Sequence, residues 1–163
     1  MIRSLRALGA AFAATAFLAL APAPALAGDA EVKYLHSLVG DWAGNGTVKG
    51  EEGGDVACRI VFKPSGAKVN FTGRCKMGGR SGTQSFSGSI RYNDSKGVYE
   101  SSSQGRTVVG TKKGSTVTFT VNARMMGGQV QSVMSFSPKS LKVQFSMTNR
   151  SGETSGSIPF SRT

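Results

Sequence analysis

The sequence predicts an all-β protein: an antiparallel up-and-down barrel of about ten strands, preceded by one short helix. Three observations predict it. After Gly40, short runs rich in Val, Phe, Thr and Ser alternate with Gly, Asn and Pro about every 8 to 12 residues. No long stretch beyond Trp42 carries a helical period. The runs also fold into successive hairpins with one aromatic face and one Ser/Thr/Lys face, as a sheet closed on its apolar side requires.

Residues 1–27 read as a cleaved export signal and not as part of the fold. Arg3 and Arg6 open it, an Ala/Leu/Phe run follows, and "APAPALA" ends in a small-x-small site before Gly28. A membrane-spanning helix needs about 20 apolar residues, and Pro22 and Pro24 cut this run short. The expectation is a periplasmic or otherwise secreted protein, with residues 28–163 forming one barrel domain. The helix is expected over Ala30 to Val39, capped by Asp29, with Val32, Leu35, Leu38 and Val39 on one stripe.

Pairing then follows along the chain. Centring a turn on Gly66-Ala67 opposes Phe62 to Phe71, Ile60 to Gly73 and Cys58 to Cys75 on one face. The other face collects Arg59, Val61, Lys63, Lys68, Asn70, Thr72 and Arg74, which suits water. Directly opposed cysteines are close enough to bridge, and an exported pair is expected to do so. A turn at Pro138-Lys139 opposes Phe136 to Leu141, Met134 to Val143, Ser132 to Phe145 and Val130 to Met147. A turn at Lys113-Gly114 opposes Val108 to Phe119 and Gly110 to Val117. Phe86, Gly88 and Ile90 alternate with serines before a turn through Asn93 to Gly97, in a register that alternation leaves open.

This parity sorts the connections into two ends. The turns near Gly66, Asn93 to Gly97, Lys113 and Pro138 are compact. Opposite them lie 50–55, 77–82, Gln104-Gly105, 124–128 and 149–153, longer and Gly-rich, two with a Met-Gly-Gly run. The result is a cup with a tight floor and a loose rim. Phe62, Phe71, Phe86, Phe119, Phe136 and Phe145 line its interior as candidate ligand contacts. Met77, Met125 and Met126 either stand at the mouth as adaptable contacts or fold inward as a plug.

The whole chain carries a formal charge of +11, or +9 without Arg3 and Arg6. That excess either keeps an exported protein soluble or attracts an anionic envelope component. Nucleic acid is not an expected partner, because the basic residues are scattered without interleaved base-stacking aromatics. A membrane-spanning barrel is not expected either, since it needs an apolar exterior with aromatic girdles.

The stretch "LVGDWAGNG", Leu38 to Gly46, resembles the start of the calycin superfamily, which includes lipocalins, fatty-acid-binding proteins and nitrobindin-like barrels. The extended Gly-x-Trp-x-Gly-x-Gly form resembles the nitrobindin and bacterial lipocalin-like branch most. The resemblance implies that the helix covers the closed end, that Trp42 packs across the floor, and that a last-strand arginine lies on it. Arg162 is the candidate by strand parity, through a cation–π contact. It does not bring haem, because the family's ligand is a late-strand histidine and the sole histidine, His36, precedes the first strand. More loosely, Leu38-Val39-Gly40-Asp41-Trp42 with Cys58 and Cys75 resembles the periplasmic metalloprotease inhibitors of Gram-negative bacteria. Those barrels have eight strands and act through a free N-terminal segment, a part that Gly28 to Lys33 would have to play here.

Chemistry finds little purchase. With both cysteines bridged, His36 has no nucleophile beside it, and no second histidine exists for a metal cluster. Glu51, Glu52 and Asp55 read as a solvated acidic loop or a weak hard-cation site. No enzyme activity, cofactor or metal is expected. The expected function is a small apolar or amphipathic ligand held inside the barrel. The alternative is a filled barrel acting through its surface, as an envelope-interaction protein or protease inhibitor.

Overall fold

A computed structural model describes residues 27–50, 53–78, 82–125, 128–150 and 152–163. Residues 1–26 of the expected signal, Glu51, Glu52 and Met126 lie outside them. One helix, α1 (Ala27–His36), is followed by ten strands: β1 (Gly40–Lys49), β2 (Gly54–Ser65), β3 (Lys68–Met77), β4 (Thr83–Asn93), β5 (Val98–Ser103), β6 (Arg106–Lys113), β7 (Thr116–Met125), β8 (Gly128–Ser137), β9 (Ser140–Asn149) and β10 (Gly152–Arg162). Each strand pairs antiparallel with the next, and β1 pairs with β10, so the sheet closes into an up-and-down barrel.

Alternation fixed most of the register. β2 and β3 pair with Cys58 opposite Cys75 and Phe62 opposite Phe71. β8 and β9 pair with Phe136 opposite Leu141 and Val130 opposite Met147. The cysteines form a disulfide with their Cα atoms 4.1 Å apart. The β6–β7 hairpin differs from expectation. Gly110 opposes Phe119 and Lys112 opposes Val117, two residues along from the expected pairing, because the turn sits on Gly114 and Ser115. A slip of two leaves every side chain on its own face, so the hydrophobic pattern cannot detect it.

The helix begins and ends three residues earlier than expected. Asp29 therefore lies in the first turn instead of capping it. After His36 the chain tightens: Leu38 and Val39 donate their amides to the carbonyls of Leu35 and His36. Gly40 then turns into β1 with φ of 132°. Residues Gly28 to Lys33, which a protease inhibitor of the resembled kind would keep free, are helical. Two rim connections are also shorter than expected. β7 runs through Arg124 and Met125 and β8 starts at Gly128, leaving only residues 126 and 127 between them. β9 and β10 likewise pair up to Asn149 and Gly152.

The helix marks the closed end. Tyr34 donates its hydroxyl to the carbonyls of Ser115 (2.8 Å) and Phe136 (3.1 Å), and His36 Nε2 lies 3.0 Å from the carbonyl of Gly66. Those residues belong to, or adjoin, the compact turns. Most of the core fills this half, with Val48 and Val56 extending it up β1 and β2. Leu35, Leu38, Val69, Ile90, Val117 and Phe136 have no exposed surface, and Trp42, Tyr99 and Leu141 keep 1 %. Each such side chain contributes about 1.5 to 3 kcal/mol of burial free energy. Outward positions carry Arg59, Lys63, Arg74, Lys76 and Lys142, all exposed, a distribution opposite to that of a lipid-facing wall.

Candidate functional site

The interior changes character along its axis. Near α1 the inward side chains are buried: Phe62 and Phe119 at 2 % exposure, Phe136 at 0 %. Farther up, inward side chains on β3, β4, β8, β9 and β10 remain half-exposed although they face the lumen, while Val48 and Val56 at the rim ends of β1 and β2 are buried. Phe71, Phe86, Met77, Met134, Val143 and Phe145 pack against the core and are still partly open to solvent. The upper half of the barrel thus has a cup whose β3, β4, β8 and β9 wall is apolar and partly open to water, above a packed floor.

The cup stays open because of how its aromatic rings lie. Phe86 pairs across strands with Gly73, Phe71 with Gly88, and Phe145 with Gly156. A Cβ at Gly88 would come 2.6 Å from Phe71, and one at Gly156 would come 2.7 Å from Phe145. Each ring lies against the bare backbone of the adjacent strand and so forms wall instead of crossing the lumen. From floor to mouth, Phe62, Phe71 and Phe86 form a ladder with centroids 6.0 and 6.4 Å apart.

The structure therefore divides the six phenylalanines expected to meet a ligand. Phe71, Phe86 and Phe145 reach the cup, while Phe62, Phe119 and Phe136 lie in its packed floor. Met77 faces inward at the rim and packs on the core. Met125 ends β7, and its side chain, like all of Met126, is outside the described residues. Asp55, the described member of the acidic trio, faces outward on β2.

Trp42 takes the place implied by the family resemblance. Its indole N–H donates to the carbonyl of Leu38 at 2.9 Å, and the Arg162 guanidinium lies 4.5 Å from its ring centroid. Arg162 also donates to the carbonyls of Val39 (2.8 Å) and Ser37.

Composition and parity missed one polar group on the floor. Lys112 occupies an inward position and reaches Glu31 of α1 at 2.6 Å, with its ammonium 4.4 Å from the Tyr34 ring centroid. Tyr99 donates its hydroxyl to the same carboxylate. Burial works to raise the Glu31 pKa, but the bonds from Lys112 and Tyr99 and the Lys112 charge bring it below the ordinary value. Burial pushes Tyr34 up to about 12, with the Glu31 charge adding to it. Tyr99 is raised further, by burial first and by Glu31 second. This cluster ties α1 to the barrel. A lysine predicted on the lumen side of a strand was the available signal.

Comparison with known proteins bears on the fold. No family model and no curated sequence matches the chain. An S-type phycobiliprotein lyase, CPES, from Guillardia theta is similar in structure, with a TM-score of 0.56 over 79 % of this chain and 90 % of that one, at 12 % identity. The fold is broadly calycin-like. At that identity the likeness concerns architecture alone, and it does not single out the nitrobindin-like branch. Since the neighbour is itself a lyase, the expectation of a protein without enzymatic activity gains no support from it.

Proposed function

We propose that this protein is an exported, periplasmic calycin-like barrel that holds one small apolar or amphipathic molecule in its upper half. The half-exposed inward ring of Phe71, Phe86, Phe145, Met134 and Val143 carries the reading. Apolar side chains held open to water inside a rigid wall gain free energy when a ligand displaces that water. Ten strands enclose a wider lumen than the eight that side chains alone just fill. Export rests on the charged, apolar and small-residue order of residues 1–27. The site as read supplies contacts for binding and assigns no residue to bond-making.

The experiment is native mass spectrometry of the protein recovered from the periplasm, followed by titration with a fluorescent fatty-acid analogue. A retained small mass and saturable one-to-one binding are expected. Ala123 faces the lumen on β7 and is half-buried, so Ala123→Trp should fill part of the cup. It should weaken binding about tenfold, or ~1.4 kcal/mol, and leave the β-type spectrum unchanged. A barrel with no bound mass, and with equal affinity in the Trp variant, would overturn the reading.

A further inference from the structure

The outer surface of β1 to β4, behind the cup wall, is concave. It forms a cleft of about 1230 Å3 whose lining includes Ala43, Ala57, Arg59, Val61, Arg74 and Lys76. The register explains both the hollow and its charge. One outward row runs Ala43, Arg59, Arg74, Ser85 across the four strands, and Ala57 opposes Lys76 in the row above. Small side chains on either side of the arginines leave the floor low.

Arg59 and Arg74 are direct cross-strand partners, and like charges in that position destabilise a sheet. Elsewhere the same molecule places a carboxylate opposite a strand-paired arginine: Arg91 opposes Glu100 on β5, with Arg91 Nη2 and Glu100 2.6 Å apart. Among the described residues the ion pairs involve Arg91, Lys96 and Lys112, and none involves Arg59, Arg74 or Lys76. Asp41 and Asp55 lie on the same outer face, beyond Ala43 and Ala57, without reaching these cations. Three cations without an ion-pair partner among the described residues thus line one cleft whose floor is partly apolar.

We propose that this cleft is a second binding site, for the oxyanion head of an amphipathic molecule, with phosphate the best match. The two guanidinium groups, opposed across β2 and β3, offer paired N–H donors to a tetrahedral dianion, and Lys76 adds a third charge. Ala43, Ala57 and Val61 give the first part of an apolar chain a surface to lie on. The surface is concave, so it fits a discrete convex molecule and not the plane of a lipid bilayer. Its lining is mostly outward-facing, with Cys58, Gly73 and Phe86 also bordering it, and the proposal rests on the outward arginines and not on the ligand reading of the cup.

The test is 15N NMR titration of the protein at low salt, with monododecyl phosphate below its micellar concentration and, separately, inorganic phosphate. Expected are salt-sensitive shifts at Ala57, Arg59, Arg74 and Ser85 with both probes, weaker with inorganic phosphate. The double variant Arg59→Gln, Arg74→Gln should lose them, weakening that site at least about tenfold, while any shifts at Val143 and Phe145 persist. Its melting temperature should equal or exceed that of the parent, because a repulsion has been removed. Shifts confined to the lumen, shifts unchanged in the double variant, or a marked fall in its stability would each overturn the proposal. Sedimentation with phosphatidylglycerol vesicles separates the sources of phosphate. Equal vesicle binding by parent and double variant supports a discrete ligand, and loss in the variant transfers the arginines to membrane docking.

Discussion

At the scale of single residues, Trp42 and Arg162 together finish the segment that leaves the helix. The carbonyls of Ser37, Leu38 and Val39 follow the last helical turn, where the dipole is negative. Arg162 accepts the task for two of them and the Trp42 indole for the third. The guanidinium's fork allows it to bond both carbonyls while stacking on the indole, which an ammonium cannot reproduce. Arg162→Ala is expected to lower stability by about 1 to 3 kcal/mol, read as a shift in urea midpoint. Arg162→Lys should recover less than half of the loss. In both, Trp42 emission should move to the red as its floor loosens. An unchanged midpoint in Arg162→Ala would show that the contacts contribute nothing. The position of Arg162 was legible through the family resemblance, but its carbonyl partners were not, because they depend on where the helix ends.

At the scale of elements, closure rests on the glycines that follow Trp42. The β1–β10 ladder pairs Trp42 to Gly44 with Arg162 to Phe160, then resumes at Thr47 with Ser157. The gap contains Pro159, which has no N–H to give the ladder. β1 approaches closely there. A Cβ at Gly44 would come 2.6 Å from the Pro159 carbonyl oxygen, and one at Gly46 would come closer still to the Ser157 carbonyl. Both obstacles are backbone, which cannot swing aside as a side chain can. Gly46→Ala is accordingly expected to cost about 1 to 3 kcal/mol and to speed amide exchange along β1 and β10 before other strands. Exchange rising evenly around the barrel would rule out a local seam. The sequence showed these glycines as part of a motif, while their purpose required knowing which strand closes against β1.

At the scale of the whole molecule, floor and cup have separate duties, and pH should disclose the floor. Tyr34 and Tyr99 are held neutral in the fold, Tyr34 up to about 12 against an ordinary 10.0. Above pH 10 the unfolded chain releases these protons and the folded one retains them, so stability should fall as pH rises from 10 to about 12. At the acid end the sign reverses. Glu100, bonded by Asn93, Arg91 and Lys96, and Glu31, bonded by Lys112 and Tyr99, both lie below their ordinary 4.5. Their contribution is complete above that value and is lost as pH falls through the lower folded one. Thermal melts should therefore show a plateau with losses at both ends. Tyr34→Phe should reduce the alkaline loss specifically. If it leaves the alkaline limb unchanged, Tyr34 is not the group responsible.

The sequence by itself determined the faces, most of the hairpin registers, the disulfide and the strand count. Each follows from a period of two read over one hairpin, and none requires knowledge of distant chain. It could not choose between the two β6–β7 registers, which put the same residues inside. It expected six phenylalanines in the ligand space. The structure lays Phe71, Phe86 and Phe145 along the wall of the open half and packs Phe62, Phe119 and Phe136 in the floor. Parity put Lys112 on the lumen side, but nothing in the chain paired it with Glu31 and Tyr99 or disclosed the basic hollow behind the cup. Those arise from closure and curvature, which set residues from several strands and the helix side by side. Alternation is a local property of the chain, whereas the depth of a cup, the bend of its wall and the partners of its charges are properties of the closed sheet.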